Sequence, residues 1–206
     1  MAASERATAR VPRGRAGRAQ GGFTLIEVLI SLFIVLVGLL GLAGMQAQAH
    51  VAELESYQRA QALVLLADMV DRINANRRSA GCFAFTTGTG TPYVGTTTGG
   101  GYLGASNCAS GFENSQSKDM VDASVDQWSA QLQGAGETKG GVSVGAMIGA
   151  RGCVSFDSST GIYTVVVSWQ GMNDTFAPVK DCGNNLYGAE TKRRAVWTTL
   201  QIATLS

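Results

Sequence analysis

The chain has 206 residues, a length that suits one modest domain with an appended segment. Its formal net charge of +1 hides two different parts: residues 1–22 hold five arginines and one acid, whereas the remainder holds 11 basic and 14 acidic side chains. A basic stretch directly before an apolar run is typical of an N-terminus that stays in the cytoplasm. The apolar run also disfavours the alternative of a nucleic-acid-binding arm.

An apolar segment follows the basic stretch. Residues 1–20 are rich in Ala, Arg and Gly and lack apolar periodicity, which predicts that they are unfolded within a basic leader of residues 1–22. Almost every side chain from Val28 to Ala43 is apolar. Residues 23–45, as a helix, would extend about 34 Å, which is enough to cross a hydrocarbon core of about 30 Å. We therefore predict that residues 23–45 form the transmembrane and assembly half of an N-terminal helix.

The helical pattern continues beyond the apolar segment. No proline or glycine occurs from residue 46 to residue 78. Apolar side chains recur at helical spacing on one face: Ala62, Leu66, Met69, Val70 and Ile73. Arg77 and Arg78 would lie in the last turn, where cations favour the helix dipole, and Gly81 would end the helix. The sequence therefore predicts one helix over about 23–78, apolar all round in its first half and on one face in its second.

Downstream of the helix, the composition predicts loops, strands and one short helix. Residues 86–105 are rich in Gly, Thr and Ser and predict a flexible surface connector. A short helix is predicted over 118–133, with one apolar face: Met120, Val121, Val125, Trp128 and Leu132. Strands are predicted over 153–156, 162–169 and 194–202. Trp128 and Trp169 are predicted core residues, and residues 46–206 are predicted to form one α+β globular domain that includes the second half of the long helix.

Four cysteines all follow the apolar run: Cys82, Cys108, Cys153 and Cys182. An even number of widely spaced cysteines beyond a membrane-targeting segment indicates disulfides in an oxidising compartment. Three pairings are open, and Cys82–Cys108 with Cys153–Cys182 is favoured because these pairs close the shorter loops. The chain has no CxxC motif and a single histidine, His50, which disfavours a metal site. No cofactor is expected.

The junction between leader and helix carries a motif. It reads Gly22-Phe23-Thr24-Leu25-Ile26-Glu27. It resembles the cleavage motif of type IV pilins and of the related pseudopilins of type II secretion. In that family a membrane peptidase cuts between the glycine and the aromatic residue and methylates the new amine. The resemblance implies cleavage between Gly22 and Phe23, N-methylation of Phe23, and a role in subunit assembly for Glu27.

Glu27 also stands out on physical grounds. An ionised acid in a membrane helix costs about 2.5–3.5 kcal/mol at mid-bilayer and less near the end, so such residues are usually functional. No Lys or Arg occurs from Phe23 to Glu53. Cleavage before Phe23 would create an α-amine about 6 Å along the helix axis. A neighbouring subunit shifted along that axis is predicted to place its amine beside the carboxylate.

The resemblance extends more loosely along the chain. Segments similar to PilV-type minor pilins are 71–77, 165–171, Cys182-Gly183 and Arg193-Arg194. Many major pilins have a proline where this chain has Gly44, which favours a minor subunit. The resemblance implies a long helix on an antiparallel sheet, in a minor pilin that primes or caps a type IV pilus and so affects adhesion and twitching motility. Implied partners are a prepilin peptidase, other major and minor pilins and the inner-membrane assembly machinery. The implied location is the inner membrane, with a periplasmic C-terminal domain, and later the surface pilus.

Two alternatives remain open from the sequence. A pseudopilin of a type II secretion system would carry the same N-terminal motif. A secreted binding module would require an ordinary secretory signal, cut after the A-x-A sequence that ends at Ala49. Against that cut, Glu27 opens the apolar segment and the helical pattern continues across the site.

No catalytic set emerges, and the chain is predicted not to be an enzyme. His50 has no nucleophile at a recognisable spacing, and the Gly-rich stretches lack the lysine of a phosphate-binding loop. The Arg193-Arg194 pair is predicted to be a solvated strand end.

Overall fold

A computed structural model describes residues 21–97, 99–143, 145 and 147–203. The first 20 residues of the predicted leader lie outside the described part. The chain divides into two compact units, one up to Ala47 and one from Gln48 onward.

The first helix, α1, spans Leu25–Ala75. It confirms the long helix predicted over about 23–78 and ends three residues earlier, because Asn76 leaves the helical conformation (φ −115°, ψ 43°) and a 3₁₀ helix, Arg77–Phe83, follows. The Asn76 side-chain amide donates to the carbonyl of Arg72 at 2.9 Å, and the Asn76 backbone N–H donates to the same carbonyl at 3.2 Å, so this residue bonds the last turn of α1 through both groups. The basic residue in the last α-helical turn is therefore Arg72, not the predicted Arg77 and Arg78.

The predicted apolar face of α1 is confirmed in the second unit. Its buried residues are Ala62, Leu65, Leu66, Met69 and Ile73, with Val70 partly buried beside them. Asp68 and Arg72 form an i,i+4 ion pair on α1, with Arg72 Nε 2.8 Å from Asp68 Oδ2. Arg72 further donates to the carbonyl of Ser124 and to Gln127 Oε1, and it thereby joins α1 to the next helix.

The second helix, α2, spans Ser115–Leu132 and begins with a capping box formed by Asn114 and Ser117. Its buried face is Val121, Val125, Trp128, Ser129 and Leu132. Met120 was predicted on this face, but it is 57% exposed. Successive helical residues are rotated by about 100°, so Met120 projects away from the stripe that begins at its neighbour.

Four strands form an antiparallel sheet in the order β1-β4-β5-β6. Their bounds are β1 Val94–Gly95, β4 Arg151–Asp157, β5 Ile162–Gln170 and β6 Arg193–Gln201. A separate hairpin pairs β2, Thr138–Lys139, with β3, Val142–Ser143. The three longer strands confirm the predicted ones: β4 and β5 are slightly longer than predicted, and β6 is shifted by one residue. Within the second unit, the buried face of α1 shares one core with Val154, Val165 and Val167, so the α+β arrangement expected from the resemblance is confirmed.

The Gly/Thr stretch is more than the predicted connector. It contributes β1, and both Tyr93 and Val94 are fully buried. Gly95 has φ +105°, and a Cβ there would lie 2.4 Å from the carbonyl oxygen of Ala150, so the close strand approach requires glycine. A strand of two residues carries no alternating pattern, and β2 and β3 escaped prediction for the same reason.

Two disulfides fix loops to the sheet and helices. Cys82 bonds to Cys108, which ties the 3₁₀ helix after α1 to the segment leading into α2. Cys153 bonds to Cys182, which ties β4 to the segment leading into β6. These are the two pairs favoured on loop length.

The prediction of a solvated Arg193 is wrong. Its side chain is 2% exposed and lies 2.6 Å from Glu190 Oε2. It also donates to three main-chain carbonyls of the preceding loop: Pro178, Lys180 and Cys182. The charge is thus paired and hydrogen-bonded, as a buried charge must be, and this arginine organises residues 178–182.

Glu55 on α1 fixes the start of the same loop. Its Oε1 accepts hydrogen bonds from the backbone N–H groups of Met172 and Asn173, each at 3.0 Å, and from Arg194 Nη2 at 3.2 Å. The Asn173 N–H, together with the Arg194 guanidinium and the Met172 N–H, holds the pKa of Glu55 below its ordinary value of 4.5 despite partial burial.

The contact between Trp128 and Gly152 gives a first test. A Cβ at Gly152 would lie 2.3 Å from the Trp128 ring, whereas a Cβ at Gly100 meets nothing within 4 Å. We expect Gly152→Ala to lower the free energy of unfolding by about 1–3 kcal/mol through overpacking. Gly100→Ala should stay within about 0.5 kcal/mol. Thermal unfolding of the two detergent-solubilised variants measures the difference, and equal melting temperatures would contradict this packing.

The Glu55 contacts give a second test. Glu55→Gln should lower the free energy of unfolding at pH 7 by about 2 kcal/mol, since charge-assisted hydrogen bonds are lost. Because the folded pKa is lowered, the stabilisation is present above the ordinary pKa and is lost as the pH falls through the folded pKa. The deficit of the variant should therefore shrink as the pH falls below the ordinary pKa of 4.5 and through the lowered folded pKa. Glu53→Gln, at an exposed acid of the same helix, is the control and should have little effect across this pH range.

Candidate processing site and assembly helix

The Gly22–Phe23 peptide bond lies in exposed, non-helical backbone just before α1. Residues 21–24 are not helical and are all exposed, and Phe23 is 83% exposed. The first helical hydrogen bonds run from the N–H groups of Glu27 and Val28 to the carbonyl of Thr24, at 3.1 and 3.3 Å. Backbone that is exposed and free of helical hydrogen bonds is open to a protease without prior unwinding. A Cβ at Gly22 would meet nothing within 4 Å, so nothing in the described chain requires glycine there.

An unbroken apolar surface follows the junction. Every large apolar side chain from Phe23 to Met45 is at least 50% exposed: Phe23, Leu25, Ile26, Val28, Leu29, Ile30, Leu32, Phe33, Ile34, Val35, Leu36, Val37, Leu39, Leu40, Leu42 and Met45. This surface surrounds the helix instead of forming a stripe, so one packed face cannot cover it. The helix is long and apolar enough to cross a membrane. Such a surface suits burial in lipid or among other apolar helices.

Glu27 is the single acid within this apolar surface. It lies in the first turn of α1, where a carboxylate is favoured by the helix dipole. Among the residues that the structure describes, no ion pair or side-chain hydrogen bond includes it. The chain has no Lys or Arg from Phe23 to Glu53 that could serve as a neighbour. The carboxylate is thus available to a positive group outside its own helix.

The second unit offers little evidence of reaction chemistry. His50 is exposed, with Nδ1 3.6 Å from Glu53 Oε2. Within the described ranges, no cluster of three or more His, Cys, Asp or Glu side chains could hold a metal ion. All four cysteines are paired in the two disulfides, so none is a free thiol. Its strongest polar contacts, those of Glu55 and Arg193, hold loops in place.

Comparison with known families finds one match. Residues 17–43 match the prokaryotic N-terminal methylation motif, and this range contains Gly22, Phe23 and Glu27. No curated protein matched the chain. No solved structure matched it either. The chain thus carries the type IV pilin-like N-terminal signal, a substrate signal for a prepilin peptidase, ahead of a single apolar helix suited to membrane anchoring.

Proposed function

We propose that this chain is a minor pilin of a type IV pilus, cleaved between Gly22 and Phe23, methylated at Phe23, and active in priming or capping fibre assembly. The observation that carries the proposal is the methylation motif, followed at once by a helix whose exposed large apolar side chains extend from Leu25 to Met45. Effects on adhesion and twitching motility follow from a role in starting or ending the fibre. The proposed partners are a prepilin peptidase, the inner-membrane assembly machinery and other pilins.

The position of the cut determines what the apolar helix can do. An ordinary secretory signal is cut after its apolar region, which is lost from the mature protein. A cut before Phe23 keeps the region, first as a membrane anchor with the second unit in the periplasm. The same surface can then pack against the apolar helices of other subunits, which replace lipid without exposing it to water.

The cut also supplies the partner that Glu27 lacks. The new α-amine is the nearest positive charge that the mature chain can offer at this depth of the helix. Because the amine lies about four residues, or 6 Å, from Glu27 along the axis, a neighbouring subunit displaced along the fibre can bring its amine to the carboxylate. In an apolar fibre core this ion pair would favour one axial register over others.

Two features favour a minor subunit of a pilus over a pseudopilin of type II secretion. One is the loose similarity of the C-terminal third to PilV-type minor pilins. The other is the pair of disulfides in the second unit, Cys82–Cys108 and Cys153–Cys182. The methylation motif itself is compatible with both functions and does not distinguish them. Recovery from sheared pili of a strain that lacks its type II secretion system separates the two, because a pseudopilin would be absent.

Processing gives a third test. The mature chain should begin with N-methylated Phe23, and mass spectrometry of the N-terminal peptide from membrane or fibre fractions measures this. A mature chain that begins at His50 would contradict the proposal and would support a secreted protein cut after Ala49.

Assembly gives a fourth test. Glu27→Gln keeps the size of the side chain and removes its charge, so expression, membrane insertion and disulfides should be unchanged. Recovery in sheared fibres should fall about tenfold, the equivalent of 1.4 kcal/mol. Glu53→Gln, an exposed acid beyond the apolar segment of the same helix, is the matched control and should be incorporated normally. Normal incorporation of Glu27→Gln would show that the carboxylate is not an assembly contact.

A further inference from the structure

The outer edge of β6 is the feature that the proposed function leaves unexplained. The strand has nine residues and ends the four-stranded sheet. An edge strand exposes backbone N–H and C=O groups that can pair with another extended chain. Which groups of β6 face outward can be deduced from the hydrogen bonds of the described residues.

The direction of the backbone groups is fixed first at Val154 of β4, on the opposite side of the sheet. The Thr86 N–H donates to the carbonyl of Val154 at 2.8 Å, and the Val154 N–H donates to Thr86 Oγ1 at 3.0 Å. Both backbone groups of Val154 therefore point away from β5. Because backbone groups alternate along a strand, Cys153 and Ser155 point toward β5, where their partners are Val166 and Thr164.

The same alternation carries across β5 to β6. Even-numbered residues of β5 point to β4, so Val165 and Val167 point to β6, where they pair with Thr198 and Val196. The odd-numbered residues of β6 consequently point outward. They are Ala195, Trp197, Thr199 and Gln201, together with Arg193, whose N–H is already bonded to the Glu190 carbonyl. Among the described residues, no other backbone hydrogen bond reaches this outward row from Ala195 to Gln201.

The two edges of the sheet are treated differently. At the β4 edge, the two residues of β1, the N–H and hydroxyl of Thr86, and the N–H of Thr96 bond to the backbone groups, so little edge remains open. The β6 edge carries none of the usual protections, since no proline, glycine or charged side chain occurs between Ala195 and Gln201. A long edge left without these protections is typical of a surface that another chain covers.

Apolar side chains are exposed on the sheet face beside this edge. Trp197 is 47% exposed and lies opposite Val166 on the sheet face that is turned away from α1. Val179, 85% exposed, lines a groove together with Val166 and Thr164. The hydrogen bonds of Arg193 hold this part of the loop in place, so Val179 is presented by ordered backbone. A side chain from an added strand could pack on Trp197.

We propose that the β6 edge accepts an extended segment of another fibre subunit as a fifth strand, a proposal that rests on the proposed function. Only extended backbone matches alternating donors and acceptors spaced two residues apart. The segment would alternate, with β-branched or aromatic side chains on the face that meets Trp197. A second copy is disfavoured, because a minor subunit that primes or caps a fibre has other pilins as its neighbours.

Proline at the outward row provides the test. Thr199 points its N–H outward, so Thr199→Pro removes no hydrogen bond within the subunit and blocks an added strand. We expect normal disulfides, a melting temperature within a few degrees of the unmodified chain, and at least tenfold lower recovery in sheared fibres. Thr199→Val, which keeps a β-branched residue and its N–H, is the control and should be incorporated normally. Normal incorporation of Thr199→Pro would overturn the proposal.

Hydrogen exchange of the unmodified chain gives a readout that does not depend on the variant. Mass spectrometry of a peptide spanning β6 should show up to about four more protected amides in fibres than in the detergent-solubilised subunit, one each for Ala195, Trp197, Thr199 and Gln201. Equal protection in the two states would overturn the added strand and leave the proposed function intact. Protection that arises in the concentrated, purified chain alone would identify a second copy as the occupant and overturn the assignment to another subunit. Absence of the unmodified chain from fibres would overturn both proposals.

Discussion

Trp128 is the contact on which the second unit depends, because α1, α2 and the sheet meet at this one side chain. It is fully buried, and its indole N–H donates to the Leu65 carbonyl of α1 at 2.9 Å. Its ring fills the space that Gly152 of β4 leaves by having no side chain. The orientation of α2 is thereby fixed from both sides, and the position of β4 in turn sets the register of β5 and β6. In an interior packed as densely as a crystal, a change at such a point is felt by all three elements.

Elements that repeat their own pattern could be predicted from the sequence. The buried face of α1 and the long strands β5 and β6 hold enough residues for a period of 3.6 or 2 to show. Features that depend on distant residues could not be predicted. Asn76 ends α1 although it is neither glycine nor proline, and β1 is too short to show a period. In the sequence, Arg193 looks like a solvated charge at a strand end. Only the folded chain places the carbonyls of residues 178–182 around it.

The two candidate functional features also differ in whether they could be predicted from the sequence. The processing motif is contiguous, so Gly22, Phe23 and Glu27 could be identified from the sequence, and the methylation-motif match covers the same residues. The open edge of β6 has no signature of its own. The outward-facing backbone groups of β6 were identified from the strand order and from the direction of the Val154 backbone groups. That direction is known because Val154 bonds to Thr86, almost 70 residues earlier in the chain. Information of this kind exists only in the folded sheet.

The disulfides also have a mechanical consequence. Between them they close loops with sequence separations of 26 and 29 residues. A fully extended residue spans about 3.3–3.6 Å, so the two bridges withhold roughly 90 and 100 Å of contour length from a chain pulled at its ends. Tension that passes along α1 reaches the first bridge seven residues beyond Ala75 and crosses it directly toward α2, bypassing the Gly/Thr stretch. When both are fully extended, an oxidised subunit is therefore about 190 Å shorter than a reduced one.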